Sequence, residues 1–218
     1  MPVAERVENR NRKTKRPLSI KKMMPELALQ PLPDAEVYYS PHFFSREESD
    51  NYLQELQQQV NWKQENIKLF GKEQPMPRLT AWYGDKGYTY SGLQNAPQPW
   101  LPVLLQLKER VEQVSGAQYN SVLLNLYRTG QDSMGWHADD EKELGQEPDI
   151  ASVSFGIPRK FGFRHRFRKE LKNVYLVLEH GSLLLMKGAT QHYWQHALPK
   201  TGKAVGIRIN LTFRNIKS

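Results

Sequence analysis

The stretch from Val205 to Arg214 constrains this chain more than any other. Val205, Ile207, Ile209, Leu211 and Phe213 alternate with Arg208, Asn210, Thr212 and Arg214, and residues two apart share one face of a strand. One face is wholly apolar, and the other carries two guanidiniums, an amide and a hydroxyl. A strand of this kind has to bury its apolar face, so it belongs to a sheet with a packed core. The polar face admits two readings. It is solvated, or it lines the inside of a closed sheet. In the second case the two arginines would grip an anion, since guanidinium forks match carboxylates in bidentate geometry.

The neighbouring sequence favours many short strands. Segments 121–127, 150–157, 161–167, 174–179, 182–187 and 204–213 are brief, rich in β-formers and separated by turn residues, a pattern of sandwiches and closed jelly rolls. Helices are expected ahead of them. Ser45-Arg46-Glu47-Glu48 is a capping box, with Leu53, Leu56 and Val60 at helical spacing behind it. A second helix starts near Trp100-Leu101-Pro102, where an early proline costs little. Its expected apolar positions are Leu101, Leu104, Leu105, Val111 and Val114, with Gly116 as its stop. No internal repeat is present. The fold class is α+β, helices first and an all-β second half.

Charge and composition narrow the chemistry. The 218 residues carry 31 Lys+Arg against 23 Asp+Glu, a net +8, which points toward a polyanion. The charge is concentrated. Residues 1–22 hold +6 and 158–172 another +6, while Asp139–Asp149 holds −5. Residues 1–24 read as a disordered basic tail and 25–218 as the folded domain. The run Arg12-Lys-Thr-Lys-Arg16 fits a nuclear signal or a DNA tether. No apolar run approaches a membrane span, and residues 1–25 lack the apolar centre of a secretory signal. A non-secreted protein is expected, cytoplasmic in a bacterium or nuclear in a eukaryote, monomeric and without a membrane partner. Cysteine is absent, which removes disulfides, thiolate zinc sites and cysteine nucleophiles and leaves metal binding to imidazole and carboxylate.

Histidine and aspartate supply such ligands. His137-Ala-Asp139 puts an imidazole and a carboxylate on one side of an extended segment, and His192 or His196 offers a third ligand. Two histidines and one carboxylate suit non-haem Fe(II) and leave coordination positions open. A 2-keto acid would occupy two of them and need a cation such as Arg208 for its far carboxylate.

Four motifs in this order carry a specific likeness: Asn125-Leu-Tyr127, His137-Ala-Asp139-Asp140-Glu141, Trp194-Gln-His196-Ala-Leu-Pro199 and Arg208-Ile-Asn210-Leu-Thr212-Phe-Arg214. Over roughly residues 35–216 the chain resembles the AlkB-type Fe(II)- and 2-oxoglutarate-dependent dioxygenases, most closely the branch that repairs alkylated DNA. The resemblance implies a double-stranded β-helix (jelly roll) with N-terminal helices and a nucleotide-recognition lid at about 65–95. It implies His137, Asp139 and His196 as iron ligands, choosing His196 over His192. It implies Asn125, Tyr127, Arg208, Asn210, Thr212 and Arg214 as 2-oxoglutarate contacts, with O2 as second cosubstrate.

The implied activity is an oxidative demethylation of N-alkylated DNA bases such as 1-methyladenine and 3-methylcytosine, releasing formaldehyde. A base-pairing edge inside a duplex is reached only by flipping the nucleotide or acting on single strands. The resemblance assigns substrate contacts to Trp82, Tyr88 and Tyr90 in the lid, to Asp140 and Glu141 after the iron motif, and to a wedge at Phe70-Gly71-Lys72. The acids 139–141 are expected to favour a cationic base. Arg164, Arg166 and Arg168 are expected to contact phosphate. The alternatives are an RNA demethylase with the same metal centre and a non-catalytic nucleic-acid-binding module.

Overall fold

Alternating apolar and polar residues make strands that pack on both faces, and here they build two antiparallel sheets with helices outside one of them. The computed structural model describes residues 26–217 apart from 70–71, 86–87, 91–92, 96 and 204–205, with backbone only for 68–69, 72, 88–90 and 93–95. The basic tail 1–24 and Val205 lie outside the described residues. Strands β1 (Ala28–Leu29) and β2 (Glu36–Ser40) precede helix α1 (Arg46–Gln59). Two hairpins, β3 (Asn66–Leu69) with β4 (Lys72–Pro75) and β6 (Tyr88–Tyr90) with β7 (Leu93–Asn95), flank β5 (Leu79–Gly84). Helix α2 (Pro102–Ser115) leads into β8 (Ser121–Tyr127), β9 (Met134–His137), β10 (Ile150–Gly156), β11 (Arg159–His165), β12 (Val174–Leu178) and β13 (Ser182–Lys187). One helical turn, α3 (Thr190–Tyr193), precedes β14 (Trp194–Leu198) and β15 (Arg208–Arg214).

The major sheet runs β1-β2-β13-β10-β15-β8-β5 and the minor sheet β12-β11-β14-β9. This is the jelly-roll core expected from the strand spacing. Ile209, Leu211 and Phe213 of β15 are fully buried on the helix side, in one cluster with Leu56, Leu104, Leu107 and Val111. Arg208, Asn210, Thr212 and Arg214 face the space between the sheets and are also buried. The solvated reading of that polar face is thereby excluded.

The helices form for local reasons. In α1 the Glu48 N–H donates to Ser45 Oγ at 3.2 Å and the Ser45 N–H to Glu48 Oε2 at 2.9 Å, closing the capping box. Helix α2 has Pro102 in its first turn and ends on Gly116 at φ 70°. Its buried face differs from the expected one in one respect. Leu105 is 47% exposed, whereas Val103 and Leu107 point inward. The lid expected at 65–95 is also not one separate piece. Its middle, β5, is an edge strand of the major sheet, paired along its length with β8. Among the described residues no helix is long and apolar enough to cross a membrane.

Candidate active site

Two strands of the minor sheet and the residues just after one of them create the metal group. His137 ends β9 and His196 lies in the middle of β14. The antiparallel register places them opposite each other, with ring centroids 4.2 Å apart. Asp139, two residues on, returns its carboxylate to the same point, and one ligand atom from each residue lies within 4.8 Å of the others. The His137 Nδ1 is 2.9 Å from the Gly135 carbonyl oxygen. A carbonyl only accepts, so Nδ1 carries the proton and Nε2 keeps its lone pair for a metal.

Electrostatics prepare all three groups as ligands. Burial lowers the His137 pKa, with Asp139 opposing only in part. Burial and then His137 push His196 down to about 3. Burial alone would raise Asp139, but Arg214 foremost, with the two histidines, holds its carboxyl at about 2. Neutral imidazoles beside an ionised carboxylate are what a divalent ion requires. Arg214 donates to Asp139 Oδ1 at 2.8 Å. The other oxygen, Oδ2, is buried without a hydrogen-bond partner among the described residues, a state a native carboxylate rarely keeps. The two nitrogens and this oxygen fit iron.

Between the sheets the same cavity becomes an anion receptor. Its lining includes Asn125, Tyr127, Arg208, Asn210, Thr212 and Arg214, each expected from the sequence. Arg208 is 2% exposed and donates to Ser154 Oγ at 2.9 Å. Its guanidinium lies over the Tyr127 ring at 5.3 Å, and its Nε has no hydrogen-bond partner among the described residues. Burial lowers its pKa to about 10, so it stays charged at neutral pH. Asn210 donates to Ser152 Oγ at 2.7 Å and to the Val153 carbonyl at 3.0 Å, and Thr212 Oγ1 donates to Asn210 Oδ1 at 3.2 Å. A buried cation without a carboxylate partner at one end, and an open metal group at the other, suit a dicarboxylate.

Three residues that the sequence reading did not single out support this cavity. Gln191, 2% exposed, accepts from the Asp139 N–H at 2.9 Å and so fixes the backbone of the metal ligand. Arg78, 6% exposed, donates to Asn125 Oδ1 at 2.7 Å and ties the chain entering β5 to the receptor. Phe161 stacks on His196 with centroids 5.3 Å apart. No sequence spacing announced Gln191 or Arg78, because their partners are 52 and 47 residues away. Phe161 lies in the segment 161–167 expected as a strand, whose spacing does not show that its ring meets His196.

The substrate residues fare differently. Trp82 is 4% exposed, inside the second apolar cluster with Leu123 and Phe163. Its indole is interior, on a strand that pairs along its length with β8. Phe70 and Gly71 lie outside the described residues, and only the backbones of Lys72, Tyr88 and Tyr90 are described. The acids 139–141 do not form one negative patch. Asp139 pairs with Arg214, and Asp140 with Arg166 at 2.6 Å; Glu141 is partly buried. The basic stripe is likewise divided. Arg159 is 2% exposed and donates to the Asp132 and Pro199 carbonyls. Arg168 pairs with Glu170 and Asp34. Arg164 makes no ion pair among the described residues; it lies 4.7 Å over Trp136 and donates to Gln195.

A facial His-Asp-His group beside a buried anion receptor, inside a jelly roll, defines an iron- and 2-oxoglutarate-dependent oxygenase. The 2OG-Fe(II) oxygenase superfamily matches residues 36–214. Over 199 residues the chain is 44% identical to the alpha-ketoglutarate-dependent dioxygenase alkB homolog 3 of Rattus norvegicus, covering 88% of this chain and 68% of that protein. It is 45% identical over 184 residues to the DNA oxidative demethylase ALKBH2 of Bos taurus, covering 79% and 66%. The solved structure of OsALKBH1 superposes with a TM-score of 0.63 at 16% identity, over 86% of this chain and 100% of that one, which speaks for the fold alone. The chain belongs to the 2OG-Fe(II) oxygenase superfamily, in its AlkB-type branch. The family uses Fe(II), 2-oxoglutarate and O2.

Proposed function

We propose that this chain repairs DNA by oxidative demethylation of N-alkylated bases, with 1-methyladenine and 3-methylcytosine as substrates. The observation that carries the reading is the clustered triad His137, Asp139 and His196, half-buried at His137 and buried at the other two, with Asp139 Oδ2 lacking a hydrogen-bond partner among the described residues beside the Arg208 receptor. Its relatives include proteins named as DNA oxidative demethylases. Loaded with iron, 2-oxoglutarate and O2, the site supplies an oxidation that turns an N-methyl group into an N-hydroxymethyl group, which leaves as formaldehyde while the cosubstrate leaves as succinate and CO2.

The chain's own residues do the positioning. His137, Asp139 and His196 would hold the metal on one face, leaving the opposite face to ligands. Arg208, with Ser154 and Tyr127 behind it, would bind the far carboxylate of 2-oxoglutarate, and Asn125, Asn210 and Thr212 would orient its body. Arg214 keeps Asp139 ionised and turned toward the metal. The Phe161 ring on His196 excludes water from one side of the ligand. Arg164, Arg166 and Arg168 sit on the strand and loop that leave this site, and serve as phosphate contacts. Tyr88, Tyr90, Asp140 and Glu141 serve the base itself.

The test is demethylation of methylated oligonucleotides, single- and double-stranded, DNA and RNA, with Fe(II) and 2-oxoglutarate. Methyl loss from DNA, abolished by His137→Ala or Asp139→Ala, is expected. Turnover on RNA alone would move the activity to the RNA reading, and no turnover on any oligonucleotide would overturn it.

A further inference from the structure

Beside the metal-ligand loop, and separate from the cavity between the sheets, lies a second cavity of about 480 Å3, within the range of small-molecule sites. Asp140, Gln146, Glu147, Arg166, His192 and Tyr193 line it. One wall is aromatic. His192 and Tyr193 stand edge to face at 4.7 Å, and Phe167 extends the cluster at 5.7 Å from His192 and 6.2 Å from Tyr193. Phe167 is 58% exposed, an uncommon place for a phenyl ring within an aromatic group. The rest of the lining is polar and mixed, with an amide, two carboxylates and a guanidinium. Arg166 and Asp140 neutralise each other there.

That combination selects its occupant. A phosphate would meet Asp140 and Glu147. An apolar peptide side chain would bury their charges. A nucleobase offers a flat face for the aromatic side and amino and keto groups for the polar one, with its own phosphates left outside in solvent. Asp140 belongs both to this cavity and to the residues directly following the iron motif, so a strand whose lesion enters the site passes this cavity with a neighbouring nucleotide. We propose that the cavity is a second nucleotide subsite, which takes an unpaired base flanking the lesion and stacks it on the exposed His192 ring, with Tyr193 beside it and Phe167, outside the lining, buttressing that ring. It rests on the nucleic-acid reading of the active site.

The test uses the full chain and single-stranded methylated oligonucleotides carrying the fluorescent base 2-aminopurine at successive positions around the lesion. Stacking quenches its emission. Quenching at one flanking position is expected on binding, and Phe167→Ala and His192→Ala are expected to relieve it and to weaken binding about 5- to 150-fold, the loss of one stacked base. Both residues are exposed, and thermal melting checks that the variants fold. The wild-type scan is informative on its own: no position-specific quenching would overturn the subsite, as would quenching that survives both substitutions. Demethylation of the same oligonucleotides by the wild type separates the two readings. Turnover without position-specific quenching removes the subsite alone, whereas failure to bind or demethylate any of them removes both.

Discussion

Two sets of arginines in this protein carry the same charge and do opposite things. Arg78, Arg159, Arg208 and Arg214 are 2–6% exposed and are held in the interior by carbonyls, an amide, a hydroxyl and one carboxylate. Arg164, Arg166 and Arg168 lie on the outer strand and loop and meet a tryptophan, an amide and nearby acids. Inside, water cannot screen the charge, so each guanidinium either fixes a neighbour or waits for an anion. Outside, water and the acidic loop compensate it. Burial, more than net charge, divides cosubstrate binding from surface binding.

The widest gap between the sets should appear at Arg208. Arg208→Met should weaken 2-oxoglutarate binding roughly 30-fold or more, the cost of losing one partner of a buried charge pair, read as the cosubstrate KM. An unchanged KM would break the comparison at its centre. Next, Arg214→Met leaves Asp139 buried without its cation and should cost about 3–5 kcal/mol in urea unfolding of the metal-free protein. A loss below about 1 kcal/mol would place Arg214 with the surface set. Gln191→Leu should then lower metal affinity about 10-fold, as removal of an outer partner of a ligand does, read by Co(II) titration.

Acid should act on the interior first. The His196 pKa falls from 6.5 to about 3 on folding, so the unfolded chain binds more protons between these values and stability declines as pH drops through them. Asp139, moved from 3.8 to about 2, adds its loss only below about pH 4. Urea midpoints of metal-free protein at successive pH values should show this slope, and His196→Gln should flatten it. The smallest effect belongs to Arg168→Gln, which should shift stability by less than about 1 kcal/mol and reduce the salt slope of DNA binding by about one. A larger change in stability would mean that the outer set is structural after all.

Much of the fold was legible because its signals are local. The capping box at Ser45, the stop at Gly116 and strands 121–127 and 182–187 lie where the sequence places them. The metal group was legible too, since His137, Asp139 and His196 come in a recognisable order. Less visible were β9 and β14, four and five residues long, which read as motifs rather than strands. β5 was hidden inside an expected lid because its pairing partner, β8, is some 40 residues away and gives no local sign.

The sequence by itself determined the periodicities, the two helices, the short-strand second half and the chemical identity of the ligands, because each depends on residues close along the chain. The tertiary structure alone decided which acid meets which arginine, that Trp82 is interior, that Gln191 holds Asp139, and that an aromatic wall faces a second cavity. The physical reason is that side-chain partners are chosen by distance in space. Arg214 and Asp139 stand 75 residues apart in sequence and 2.8 Å apart in the fold, and only the packing of one sheet against the other brings them together.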